Sequence, residues 1–131
     1  MMDTKLKMTT ILDMYQGLET LKDREPTITL GYKIAKNLYK TKEAIDIYRT
    51  VERTIINQYI DRGETEKLDD KQREQGSIIV KDLISYETKI NELNNTEHEI
   101  SLESITLEEL ENNFGNITPD ILCKLMPIIE N

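Results

Sequence analysis

The sequence has no tryptophan, one phenylalanine, one cysteine and only three prolines. A lone cysteine, Cys123, excludes an internal disulfide framework and suits a reducing compartment. Because aromatic residues are so few, the core must come mainly from isoleucine and leucine, and we expect a thin core. The scarcity of glycine and proline, with 32% charged residues, is typical of a helix-rich protein and argues against an all-β fold.

Long hydrophobic runs are also missing. No apolar stretch approaches the roughly 20 residues that a membrane-spanning helix requires, and residues 1–8 lack the apolar segment of a secretory signal. We therefore expect a cytoplasmic protein that neither inserts into a membrane nor is exported. At 131 residues the chain has the size of one domain, so we interpret residues 1–131 as a single domain.

Charge is unevenly distributed along the chain, whose net charge is −8. Residues 1–60 hold 10 Lys and Arg against 8 Asp and Glu, whereas residues 61–131 hold 7 against 17. Phosphate backbones need a basic surface, so this balance argues against general nucleic-acid binding. It fits a solvated acidic surface and leaves room for a basic partner or for mimicry of DNA.

Two apolar stripes at helical spacing dominate the pattern and predict a hairpin of long helices. The first stripe lies on a predicted helix over residues 30–61, with Thr29 as its cap. The second stripe lies on a predicted helix over residues 79–94, although the β-branched residues 78–80 also favour a strand. A further strip on the first helix predicts a second buried face. The stripes are Ile34, Leu38, Ile45, Tyr48, Ile55 and Tyr59; Ile79, Leu83, Tyr86, Ile90 and Leu93; and Ala35, Ala44, Ile47 and Val51.

Shorter elements flank the hairpin. Thr10 with Asp13 resembles a capping box, which predicts an N-terminal helix over residues 10–22. Residues 62–78 are charged and nearly devoid of apolar side chains, so we predict a mobile loop or a frayed helix there. Alternation over residues 97–104 predicts a half-buried strand that pairs either with residues 5–8 or with another subunit.

Two small helices are predicted near the C-terminus. Thr106 with Glu109 forms a capping box, and Thr118 followed by Pro119 is a strong helix start, with Pro127 bending or ending that last helix. The predicted fold is mainly α: a long-helix antiparallel hairpin, an N-terminal helix, a short strand and two small C-terminal helices. The unpaired strand and the thin core favour a homo-oligomer.

No catalytic or metal signature accompanies this fold. His98 is the only histidine, so neither a histidine metal cluster nor a Cys–His nucleophile is built with Cys123, which we interpret as a small buried hydrophobic residue. The glycines are scattered and form no phosphate-binding loop. We therefore expect no enzyme activity, no catalytic residues, no cofactor and no metal.

One strip departs from the general acidity. Lys33, Lys36 and Lys40 lie three and four residues apart on the predicted long helix, beside Tyr32 and Asn37. Such a strip either grips a small anionic ligand or an acidic partner, or is an ordinary solvated helix face. The alternative interface is acidic and consists of Glu97, Glu99 and Glu103.

Four motifs, in order, resemble a family of small, mostly uncharacterised proteins encoded by phages and prophages of Gram-positive bacteria. They are residues 32–38 (YKIAKNL), 90–96 (INELNNT), 99–109 (EISLESITLEE) and 117–119 (ITP). The resemblance implies phage origin and cytoplasmic expression in a bacterial host, and it carries over no catalytic residue. Pro127 and residues 63–78 depart from the family pattern.

The resemblance to these phage proteins and the lack of a catalytic signature together suggest a function. Small phage proteins without catalytic residues usually act by stoichiometric binding. We expect an accessory protein that inhibits a host factor, such as a defence system, by occupying a protein surface or by sequestering a nucleotide-like signal. A virion or tail-morphogenesis component is the alternative.

Overall fold

The computed structural model describes residues 2–130. It confirms the mainly α architecture, with a long central helix, an N-terminal helix and small C-terminal helices. The helices are α1 (Met8–Lys22), α2 (Ile28–Tyr59), α3 (Arg62–Glu66), α4 (Asp70–Glu74), α5 (Leu83–Asn94), α6 (Leu107–Phe114) and α7 (Pro119–Leu125), with a 3₁₀ turn at Met126–Ile128. The strands are β1 (Met2–Lys7), β2 (Glu97–Leu102), β3 (Ile105–Thr106) and β4 (Ile129–Glu130).

The predicted hairpin of α2 and α5 is confirmed. The Tyr48 hydroxyl donates to Asn94 Oδ1 at 2.8 Å, while the Tyr59 and Tyr86 rings meet edge to face at 6.2 Å, so the two helices run antiparallel. Helix α1 also packs antiparallel on α2, because Ile11 near its start shares a core cluster with Ile45, whereas Leu21 near its end shares one with Leu30. Helices α1 and α5 therefore both pack against the long helix.

The predicted burial of a second α2 strip is wrong. Ala44 is buried, but Ala35 is exposed, Ile47 is 59% exposed and Val51 is 42% exposed. The reason is geometric: α1 and α5 cover the side of α2 that carries residues such as Ile34, and among the described residues no element covers the flank that carries Ile47 and Val51.

Helix α5 begins later than predicted. Residues 79–82 are not helical; Asp82 caps the helix by accepting from the Ser85 N–H at 3.1 Å. The preceding β-branched residues are extended, and Val80 forms an antiparallel bridge with Ile60. Here the strand preference of residues 78–80 prevails over the helical spacing.

Two predicted helix caps are also wrong. Thr27, not Thr29, caps α2, with its hydroxyl accepting from the Leu30 N–H at 3.4 Å. Helix α1 begins at Met8 without any side-chain cap, because β1 runs directly into it and the Met8 N–H donates to the Thr96 carbonyl at 3.1 Å. The proposed box at Thr10 therefore lies inside the helix.

The charged segment contains α3 and α4, each capped by an aspartate side chain, Asp61 and Asp69 respectively. Neither helix has a buried residue. At the C-terminus both predicted caps are confirmed: Thr106 and Glu109 form the capping box of α6, and Thr118 caps α7.

Strand β2 pairs antiparallel with β1, from Lys7 opposite Glu97 to Met2 opposite Leu102. This confirms the intramolecular alternative for the predicted strand, so the strand no longer argues for an oligomer. The short strands β3 and β4 pair in parallel. The main core joins α1, α2, β2, β3, α6, α7 and the 3₁₀ turn. It contains Met14, Leu18, Leu21, Leu30, Ile34, Ile100, Leu102, Ile105, Leu110, Leu125 and Ile128.

Candidate functional site

A groove runs between α2 and β2. Two cavities of about 340 Å³ and about 310 Å³ adjoin at Lys40 and Ser101, and together we call them the α2–β2 groove. Towards the start of α2 it is lined by Tyr32, Ala35, Lys36, Asn37, Tyr39 and Glu103. Further along it is lined by Glu43, Ala44, Ile47, His98, Glu99 and Ile100.

Large apolar side chains stand exposed along this groove. Tyr32 is 64% exposed, Tyr39 is 65% exposed and Ile47 is 59% exposed. Single exposed apolar residues are ordinary, but residues grouped along one concave surface mark a site of interaction. The α2–β2 groove is therefore the strongest candidate for a binding surface in the described chain.

Asn37, one of the predicted ligand-binding residues, has a structural role. Its side chain is fully buried. Nδ2 donates to the Glu103 carbonyl at 2.9 Å, and Oδ1 accepts from the Glu103 N–H at 2.7 Å. Both ends of the amide are thus occupied by the backbone that follows β2, so Asn37 ties α2 to this backbone and lines the groove.

The three lysines of the predicted basic strip differ in their ion-pair partners. Lys33 binds both carboxylate oxygens of Glu109 at 3.0 Å. Lys36 lies 3.4 Å from the Glu103 carboxylate and 4.7 Å from the centre of the Tyr32 ring. Within residues 2–130, Lys40 has no ion-pair partner. The strip is therefore largely neutralised, and Lys40 is its available cation.

The ion pair between Lys33 and Glu109 affects how the stability of the protein changes at acidic pH. Burial favours the neutral form of Glu109, but hydrogen bonds from Lys33 and Thr106 outweigh it and lower the pKa of Glu109. This stabilisation is complete above the unfolded-state pKa of about 4.3 and is lost as the pH falls through the lower folded-state pKa. Glu109→Gln should therefore flatten the loss of stability between about pH 6 and about pH 3 in urea unfolding.

Glu108→Gln is the matched control for that measurement. Glu108 is exposed and occupies the same first turn of α6, so its replacement makes the same change in charge without breaking the pair with Lys33. It should leave the acid dependence of unfolding as it is in the parent. A Glu109→Gln protein that remained as acid-sensitive as the parent would contradict the role given to this pair.

The alternative acidic interface is also compensated by lysines. Glu99 lies 3.9 Å from Lys5 across the strands, Glu97 stands opposite Lys7, and Glu103 meets Lys36. The Lys5–Glu99 pair is exposed at both ends, so water screens it and leaves the carboxylate able to accept a second cation. On the outer face of these strands, a wide polar depression of about 680 Å³ is lined partly by Glu99 and Ser101.

Comparison with protein-family models, curated proteins and solved structures finds no match to this chain. The phage resemblance therefore stays a prediction from sequence motifs. No helix within residues 2–130 combines the length and apolar character needed to cross a membrane. Within the same residues, no group of three or more His, Cys, Asp or Glu side chains is arranged to hold a metal ion.

The structure thus brings Tyr32, Lys36, Asn37 and Lys40 together in one groove, while Lys33 points to α6. Sequence reasoning assigned Glu99 and Glu103 of the opposite wall to a separate acidic interface, and it missed Ser101. It also missed Ile47, which was assigned to a buried face. The sequence does place Ile47 beside the predicted site, because it lies seven residues after Lys40 and therefore on the same side of α2.

Proposed function

We propose that this protein is a non-enzymatic accessory protein of phage origin that binds and inhibits a host factor in the bacterial cytoplasm, and that the α2–β2 groove is its binding surface. One observation carries the placement of the surface: Tyr32, Tyr39 and Ile47 are exposed along a single concavity. The phage origin and the inhibitory action depend on the sequence motifs and on the expectation that such proteins act stoichiometrically.

The groove suits a protein segment better than a nucleotide-like signal. A phosphate group needs several available cations or N–H donors, yet Lys33 and Lys36 are paired with carboxylates and both ends of the Asn37 amide are occupied. Tyrosine rings, by contrast, are enriched at protein interfaces. We therefore place the occupation of a protein surface ahead of nucleotide sequestration.

Native mass spectrometry of the tagged protein, recovered gently from a Gram-positive host, tests this proposal. We expect a stoichiometric complex with a host protein. Recovery with virion or tail components alone would favour the morphogenesis alternative, and a bare chain or homo-oligomer would contradict the proposal. A discrete small mass would contradict the preference for a protein segment and restore the nucleotide-like ligand.

Charge reversal in the groove distinguishes a bound protein segment from a bound nucleotide-like anion. Lys40→Glu places a negative charge in the groove, whereas Lys42→Glu makes the same change on an exposed position of α2 that does not line it. A bound anion should be lost from Lys40→Glu and kept by Lys42→Glu, because only the first change repels it at close range. For a partner that is a protein segment with apolar contacts, we expect both variants to retain the complex.

A further inference from the structure

Within residues 2–130, no strand pairs with the edge of β2 that lies away from β1. The Met8 N–H donates to the Thr96 carbonyl, and these residues continue the β1–β2 register by one pair. In an antiparallel pair, hydrogen-bonded and non-hydrogen-bonded positions alternate. The even-numbered residues of β2 therefore bond to β1, and the backbone groups of Glu99 and Ser101 point away from it.

Glu103, the odd-numbered residue after Ser101, shows where another strand would lie. The Glu103 N–H and carbonyl are both bound by the Asn37 side-chain amide, which makes the two hydrogen bonds that a residue of a neighbouring strand would make. Two and four residues earlier, at Ser101 and Glu99, no described residue bonds to the outward N–H or carbonyl. Both residues line the α2–β2 groove.

We propose that an extended segment of the partner binds in the groove by adding a strand to the free edge of β2, starting where the Asn37 amide ends. This inference rests on the proposed function and specifies its binding mode. Backbone hydrogen bonds to a sheet edge supply affinity, and the side chains that alternate along the strand supply specificity.

The surroundings of the edge define the chemistry of the segment. Side chains on the outer face would stand beside Glu97 and Glu99, so lysine or arginine fits there. Side chains on the inner face would meet Ala44, Ile47 and Tyr39, so apolar residues fit there. The expected segment therefore alternates basic and apolar residues, and the net charge of −8 attracts it.

A second copy of this chain fits the edge poorly. Pairing two β2 strands edge to edge would bring glutamates 97, 99 and 103 of one copy beside those of the other on the same face, and like charges on neighbouring strands are destabilising. The basic and apolar segment of a different protein meets the same edge without this repulsion. We therefore assign the edge to a partner and not to self-association.

A short peptide of alternating lysine and valine is the probe for this binding mode. We expect it to bind the full chain, with affinity that falls as salt is raised, and to slow hydrogen exchange of the Glu99 and Ser101 amides by at least about tenfold. A peptide with the same composition, but with its lysines and valines in two blocks, should bind at least about tenfold more weakly. Equal binding of both peptides would overturn the proposal.

Backbone methylation of the peptide tests the hydrogen bonds without changing the protein. In an added strand, only every second peptide amide faces β2, so N-methylation of one alternate set should abolish binding and N-methylation of the other set should leave it. If neither set matters, or if both matter equally, the strand-addition mode is wrong.

Edge prolines give the matching test on the protein. Ser101→Pro removes an outward N–H of β2, and Lys5→Pro removes the equivalent outward N–H of β1 on the opposite edge. We expect the first to weaken peptide binding by about tenfold or more and the second to leave it within about twofold. Failure of every peptide to bind would overturn strand addition, whereas recovery of a host complex tests the proposed function independently.

Discussion

Replacing Asn37 with alanine should lower the free energy of unfolding by about 2–3 kcal/mol, because it leaves the Glu103 N–H and carbonyl without the partners they have in the native protein. The side chain is fully buried, so water does not replace it without rearrangement. Urea unfolding followed by circular dichroism measures the change.

Two further variants sharpen this prediction. Asn37→Asp keeps an acceptor for the Glu103 N–H but loses the donor and buries a charge beside the carbonyl, so it should also destabilise the protein. Asn91→Ala, at an exposed position of α5, should change the free energy of unfolding by less than about 0.5 kcal/mol. An equally small effect of Asn37→Ala would contradict the role given to this amide.

Leu125→Ala should have the largest effect on stability, about 2–5 kcal/mol, because the side chain is completely buried where α7 meets α1 and its removal leaves a cavity. Leu83→Ala is the control, since Leu83 is 57% exposed and should cost far less. The two free energies of unfolding come from the same urea titration. Similar losses for both variants would contradict the assignment of the core.

A second substitution tests the same contact. A Cβ added at Gly17 would lie 3.1 Å from Leu125 Cδ2 and 3.2 Å from Lys124 Cβ, both tight approaches. In the Leu125→Ala background the first contact is gone and the second remains, so Gly17→Ala should be less destabilising there than in the parent. A double-mutant cycle should therefore give a coupling energy of about 0.5–3 kcal/mol between the two positions.

Much of the fold could be predicted from local patterns. The stripe with Ile34 and Ile55 predicted the central helix and its hairpin, and the alternation around Ile100 predicted the strand, because both signals reflect burial on one face. The start signal of Thr118 before Pro119 was also correct.

The predictions were wrong where several residues could each cap the same helix, or where contacts between distant parts of the chain determine the structure. Thr27 prevails over Thr29 as the cap of α2, and Asp82 sets the start of α5 although the apolar spacing begins earlier. Ile47 has the spacing of a buried residue, but its exposure depends on where β2 ends and which side of α2 the other helices cover. The groove could not be predicted because its walls come from distant parts of the chain.

The most direct test of the central claim compares two matched serine variants in the recovery from host cells. Ile47→Ser changes an exposed side chain in the α2–β2 groove, and Ile84→Ser makes the same change at an exposed position of α5 outside it. Native mass spectrometry should find the partner complex lost with Ile47→Ser and retained with Ile84→Ser. Retention by Ile47→Ser together with loss by Ile84→Ser would place the binding surface elsewhere and contradict the account.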